Sequence, residues 1–224
     1  MLPKQQEMDG IVEQIYTAIS TYSHHESTLF VLCGDHGMND GGNHGGSAPG
    51  ETSPALVFLS PKFNKISKGL SSPIMPRNDF NYYTSVEQSD IAPTLAALLG
   101  FPTPLNNLGV FIPQFLPMWS SGMYTLPRIM AMALTMKTDR DRIQILLQNA
   151  LQMLDIVKAT FPHPFWDNPK ADIQCTGSLS TADRLACAWR EVSGTFRASQ
   201  AAQPPAEMIL PFLVYVCSFQ KAQP

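Results

Sequence analysis

The sequence predicts an α/β fold with a mostly parallel sheet followed by a helical extension, and three observations predict it. A helix-spaced apolar stripe near the N-terminus feeds a continuous apolar run, Leu29–Cys33, the pattern of a strand covered on both faces. That run stops in a loop with six glycines in the thirteen residues Gly34–Gly46, at the strand edge where open α/β sheets bind ligands. The 19 prolines outnumber the 14 glycines and gather in Pro49–Pro76, Pro102–Pro117 and Pro162–Pro169. Such stiff, donor-poor stretches argue against a plain helical bundle.

Met8, Ile11, Val12, Ile15 and Ile19 recur at helical spacing, so the chain from about Pro3 to Thr21 is read as an amphipathic helix, with Lys4, Glu7, Glu13 and Gln14 on its other face. A polar loop, Tyr22–Ser27, carries His24 and His25, and the strand Leu29–Cys33 follows. Cys33 reads as a small buried hydrophobe within it. After the glycine-rich loop, Pro54 introduces a second strand, Ala55–Leu59, and Lys62–Tyr83 is a polar, proline-interrupted excursion. Ser89-Asp90 is read as the cap of a helix over Ile91–Leu99 that ends at Gly100. Leu126–Met136 and Arg140–Thr160 read as helices, the second with Ile143, Leu147, Ala150, Leu151, Leu154 and Val157 on one face. Met130, Met132, Met136 and Met153 fall at helical positions and read as core filling. A shorter helix is expected around Thr181–Glu191. The change of character past Pro117 divides the chain into an α/β part, 1–120, and a helical extension with a poorly defined tail, 121–224.

Composition narrows the function classes. At 224 residues and 44% apolar the chain can build a core, and its net charge of −3 gives no electrostatic footprint for nucleic acid. The longest apolar stretch, Met208–Phe219, is broken by Pro211 and Ser218 and is too short to cross a bilayer. Met1–Glu7 lacks the apolar run of a signal peptide. Four cysteines at 33, 175, 187 and 217 match no zinc-ribbon spacing, but Cys175 and Cys187 bracket a polar loop and are candidates for a disulfide in an oxidising compartment.

The chemistry concentrates in Asp35, His36 and His44. A carboxylate and an imidazole on adjacent residues at a strand tip reach one cation only if the backbone turns sharply, which Gly34 and Gly37 permit. Oxygen and nitrogen donors without thiolate suit zinc in an open site, with manganese or iron less well matched. Asp-His-Gly is also an ordinary turn, and the second histidine in the same loop brings the two readings to parity. Asp40 stays open as a further ligand, whereas His24, His25 and His163 read as solvated.

The ordered series Asp35-His36-Gly37-Met38, Asn43-His44-Gly45-Gly46, Thr52–Phe58, Val86–Leu95 and Pro104–Gly109 resembles the glycosylphosphatidylinositol (GPI) ethanolamine phosphate transferases of the alkaline phosphatase superfamily, over roughly residues 1–160. In detail it resembles the fungal members that modify the second mannose of the anchor precursor. The resemblance implies part of an alkaline-phosphatase-like sandwich and a site with two metal ions, usually zinc, serving a threonine nucleophile. Asp35 and His36 match ligands of the ion that holds the nucleophile, and His44 matches a ligand of the other ion. It further implies phosphatidylethanolamine as donor, the anchor precursor as acceptor, and a domain in the lumen of the endoplasmic reticulum on a membrane protein, with room for a membrane partner subunit. The threonine and remaining ligands of the family pattern have no counterpart among these residues, and are expected upstream of Met1. The alternatives are a metal-dependent phosphodiesterase or other hydrolase of the superfamily, and a catalytically inactive interaction module.

Overall fold

The computed structural model describes residues 2–66, 85–120 and 137–201. The sequence-predicted helix Leu126–Met136, with Met130 and Met132, the greater part of Lys62–Tyr83, and Met208–Pro224 lie outside the described residues. The chain divides into two compact units, Met1–Leu70 and Ser71–Pro224.

The first unit opens with α1, Leu2–Thr21. The helix forms as its spacing predicts, but of the apolar stripe only Ile19 is buried, while Met8, Ile11 and Ile15 stay 52%, 44% and 40% exposed. After a single tight turn at Ser23–His25, strand β1, Phe30–Cys33, pairs with β2, Leu56–Leu59. The pairing is antiparallel, with Phe30 opposite Leu59 and Cys33 opposite Leu56. This corrects the predicted parallel sheet. Residues 34–55 hold only the four-residue helix α2, Pro49–Thr52, so the connection contains no crossover helix and returns β2 alongside β1. The described residues form a mixed helix-and-sheet structure with this two-stranded sheet, and the larger sandwich is not formed by them. Cys33 is a free, exposed thiol rather than a buried hydrophobe, because the carboxyl half of β1, with Leu32 40% exposed, carries no covering layer among the described residues. A short helix α3, Phe63–Ile66, follows β2.

The second unit begins with a tight helical turn at Gln88–Asp90 that runs into α4, Ile91–Leu99, which closes at Gly100 in the left-handed region, φ 76°. Asp90 precedes this helix but does not cap it with its side chain. Its carboxylate instead accepts from the Glu87 amide at 3.0 Å and the Val110 amide at 2.7 Å. A local cap is outcompeted here because a buried amide twenty residues away needs an acceptor. Thr94 relays the same tie, its hydroxyl donating to the Asp90 carbonyl at 2.7 Å and accepting from the Ile112 amide at 2.9 Å.

Helix α5, Lys137–Thr160, packs its buried face against this segment. Leu146, Met153 and Val157 are fully enclosed with Phe111, and Asn149 is 2% exposed among them. Ala150, Leu154 and Val157 of the expected stripe are buried, but Leu151 is 43% exposed and the buried face extends to Leu146 and Asn149. The reason is polar. Asn149 accepts from the Phe111 amide at 2.9 Å and donates to the Gly109 carbonyl at 3.1 Å, and Gln152 donates to the Leu105 and Asn107 carbonyls. These bonds satisfy a buried stretch of backbone that belongs to neither a helix nor a sheet.

Beyond α5, a short helix α6, Pro164–Asp167, and the long α7, Thr181–Ala201, enclose a second cluster of Phe165, Ile173 and Ala186 flanked by Trp166 and Trp189. Cys175 and Cys187 are joined by a disulfide, Cα–Cα 5.8 Å. His163 is not solvated: its side chain is 11% exposed, its Nδ1 accepts from the Phe165 amide and its Nε2 meets Asp183 Oδ1 at 3.1 Å. Asp183 also closes a reciprocal cap at the start of α7, accepting the Ser180 hydroxyl at 2.6 Å and the Ser180 amide at 3.0 Å while the Ser180 hydroxyl accepts the Asp183 amide. The Ser180 hydroxyl, then the Ser180 amide, hold this carboxyl below its ordinary value of 3.8. Because the folded value is the lower one, the stabilisation is fully present above 3.8 and is lost as pH falls through the depressed value. Asp183→Asn should therefore flatten the acid side of a melting-temperature profile recorded from pH 6 downward, and an unchanged profile would refute this role.

Candidate functional site

The glycine-rich loop leaves the carboxyl end of β1, where the Gly34 amide donates to the Ala55 carbonyl at 3.1 Å and extends the ladder one step past Cys33. Asp35 and His36 follow at once, both exposed to solvent. Gly34 and Gly37 serve close approach rather than a left-handed turn. Positive φ falls at Gly42 and Gly45 instead, while a Cβ at Gly34 would sit 2.8 Å from that of Pro54 and one at Gly37 would collide with the Gly50 carbonyl. Any side chain at 37 would push away the α2 segment and break the bond from the Gly37 amide to the Glu51 carbonyl, 2.8 Å.

Three sequence-predicted residues are brought together. The Asp35 carboxylate accepts the His36 amide at 3.0 Å, and its second oxygen lies 3.7 Å from His36 Nε2. The other ring nitrogen of His36, Nδ1, is 2.9 Å from the Gly37 carbonyl. A carbonyl only accepts, so this hydrogen bond needs a proton on Nδ1, and in the neutral ring Nε2 then carries the lone pair. The His44 ring stacks on that of His36 at 4.8 Å between centroids and 13° between planes.

The donor set fits a cation in part. Zinc bonds of about 2.0–2.2 Å to oxygen and nitrogen span the 3.7 Å between Asp35 Oδ2 and His36 Nε2. A ligating histidine characteristically gives its second N–H to a carbonyl, the role Gly37 plays here. Yet among the described residues no group of three or more His, Cys, Asp or Glu side chains is placed to hold one metal ion. The pair Asp35–His36 thus presents two ligands, with His44 set beside the pair rather than within it. Asp40 makes no third member of such a group, and His24 and His25 pack on one another at the tight turn, 4.2 Å between centroids, away from these residues in the chain.

Over 225 residues, covering 99% of this chain, it is 45% identical to GPI ethanolamine phosphate transferase 2 of Aspergillus oryzae. The chain belongs to the GPI ethanolamine phosphate transferase family. It is also 56% identical over 162 residues to the Aspergillus fumigatus protein of the same name, covering 72% of the chain, and 46% identical over 123 residues to that of Saccharomyces cerevisiae, covering 52%. The similarity is therefore to the fungal type 2 proteins. The chain spans about a quarter or less of these curated relatives: 26%, 19% and 15% of their respective lengths. No family profile matches the chain, and no solved structure is similar to it.

Two residues that sequence reasoning passed over organise the candidate site. Asn39 Oδ1 accepts from the amides of Gly41 and Asn43, both at 3.0 Å, closing the turn between the two histidines. Glu51, only 8% exposed, takes hydrogen bonds from the far side of the loop. The available signal was slight: a glutamate at the third position of a proline-initiated helical turn, Pro49-Gly50-Glu51, is the residue type that reaches back to a free amide. No helix among the described residues is long and apolar enough to cross a membrane.

Proposed function

We propose that the protein containing these residues transfers phosphoethanolamine from phosphatidylethanolamine to a mannose, the second, of the GPI anchor precursor, in the lumen of the endoplasmic reticulum. The observation that carries the reading is the Asp35–His36 pair with His44 stacked against it, at the carboxyl end of β1, in a chain 45% identical to a protein named for ethanolamine phosphate transfer over nearly its whole length.

In this reading Asp35 and His36 would hold one of two divalent ions, zinc by the chemistry of the donors and manganese as the alternative, and His44 would contribute to the second. The chemistry such ions would supply when bound is a lowered pKa for a hydroxyl nucleophile and neutralisation of phosphoryl charge. The nucleophile would be a threonine lying outside these residues: its oxygen would bond to the donor's phosphorus as diacylglycerol leaves with the phosphorus–oxygen bond it held, and the mannose hydroxyl oxygen would then displace the threonine oxygen, which regains its proton. This chain's own part is positional. The Gly37 carbonyl keeps the proton of His36 on Nδ1, so that Nε2 presents a lone pair beside the Asp35 carboxylate. The exposure of both side chains leaves the approach of a lipid headgroup open from solvent. A net charge of −3 does not oppose an anionic donor, because the positive field is supplied locally at the ligands.

The test uses the complete protein, phosphatidylethanolamine labelled in its headgroup, and a mannose-bearing anchor precursor. Label on the glycan, dependent on added acceptor, is the expected result. Release of labelled phosphoethanolamine to water at the same rate with and without acceptor would make the protein a phosphodiesterase, and absence of any turnover would favour an interaction module.

A further inference from the structure

The loop between β1 and β2 carries its chemistry on an exposed, glycine-rich backbone, which by itself has little to keep it in one conformation. Glu51 is the exception to that exposure. Its side chain is 8% exposed while His44, Gly46 and Ala48 around it are open to solvent. Oε1 accepts from the Gly46 amide at 3.3 Å and from Asn39 Nδ2 at 3.4 Å, and Oε2 accepts from the Ala48 amide at 3.2 Å. Its backbone carbonyl takes the Gly37 amide at 2.8 Å.

These contacts fall at telling places. Gly37 directly follows His36, Gly46 lies two residues after His44, and Asn39 closes the turn between them. One residue thus ties the start, the middle and the end of the segment on which the two imidazoles stack. The approach is close: a Cβ at Gly46 would stand 2.6 Å from Glu51 Oε2 and would displace the carboxylate from its place. A carboxylate suits this place because it accepts at both oxygens and donates from neither, and all three groups that meet it are donors.

We infer that Glu51 is a positioning residue for the site: it does not touch the reacting atoms, but fixes the separation and ring orientation of His36 and His44. The inference rests on the reading of Asp35, His36 and His44 as metal ligands. Partners that orient ligands in this indirect way typically govern metal affinity by about 10–100-fold, and Glu51 acts one bond further out, so the lower end, about tenfold, is expected.

The experiment compares the complete protein with Glu51→Ala and with the isosteric Glu51→Gln, which keeps one acceptor oxygen and replaces the other by a donor. Zinc affinity is measured by equilibrium dialysis against a chelator series, with zinc alone as the probe, and amide hydrogen exchange is measured by mass spectrometry on zinc-free protein. Expected are zinc binding weakened about tenfold in Glu51→Ala and less in Glu51→Gln, with faster exchange confined to peptides covering residues 36–48 and unchanged exchange in peptides from α4 and α5. Unaltered exchange over residues 36–48 in both variants would overturn the inference whatever the metal does. Faster exchange with zinc affinity equal to wild type would make Glu51 merely structural and overturn it as well. A wild-type protein that binds no zinc would instead sink the metal reading on which the inference stands.

Discussion

His36→Ala in the complete protein should lower zinc affinity about 100-fold and reduce transfer to the mannose acceptor by a similar factor at limiting zinc. The size follows from sharing roughly 10–16 kcal/mol of zinc binding among four ligands, which gives about 3 kcal/mol for one of them, or two factors of ten. The substitution removes a ring that is half exposed and whose own contacts are the Gly37 carbonyl, the Asp35 carboxylate and the face of His44. Exposed positions of this kind change stability by only about 0.5 kcal/mol, so the melting temperature should stay near that of wild type while metal affinity and activity fall together. Unchanged transfer would remove His36 from the site, and a large loss of stability would show that the loop depends on the ring for its fold.

Phe111→Ala should destabilise the second unit by about 3–5 kcal/mol, the usual cost of emptying a fully enclosed phenylalanine site. Phe111 is 0% exposed in the buried stretch Val110–Ile112, and Leu146, Met153 and Val157 of α5 are buried as well. Its amide bond to Asn149 is made by the backbone and survives the substitution, so the loss isolates side-chain packing from the polar tie. Against a typical total of about 5–15 kcal/mol for a domain, this leaves the unit marginal. Urea denaturation followed by tryptophan fluorescence, with Trp166 and Trp189 in the neighbouring cluster as reporters, measures the effect. A loss below about 1 kcal/mol would mean that the site collapses around the missing ring, and that residues 110–112 do not form the packed centre described above.

Local signals in the sequence were translated faithfully. Helical spacing gave α1 and α5 nearly to their ends, the run Ile91–Leu99 closed by Gly100 gave α4, and the apolar runs gave β1 and β2 within one residue. What escaped depends on partners distant in the chain. The antiparallel register of β1 and β2 is decided by how residues 34–55 return, and a continuous apolar run looks the same in either sheet type. The turn of α5 toward Leu146 and Asn149 is set by backbone groups at Gly109 and Phe111, forty and thirty-eight residues away. Asp90 reads locally as a cap because its best acceptor duty, the Val110 amide, is invisible in sequence. Apolar stripes also promised more burial than the described residues provide, as Met8, Ile11 and Leu32 show. In the candidate site, residue types in a glycine-rich loop pointed to Asp35, His36 and His44. The ring stacking and the ties through Asn39 and Glu51 arise from the folded loop itself.

The measurement that bears most directly on the account is the zinc content of the purified complete protein, compared with that of the double variant Asp35→Asn, His36→Ala after dialysis against the same weak chelator. The account predicts a two-metal site in the wild type and the selective loss of one ion in the variant, with His44 still serving the other. Equal zinc in both proteins would contradict it, because the pair at the tip of β1 would then hold no metal.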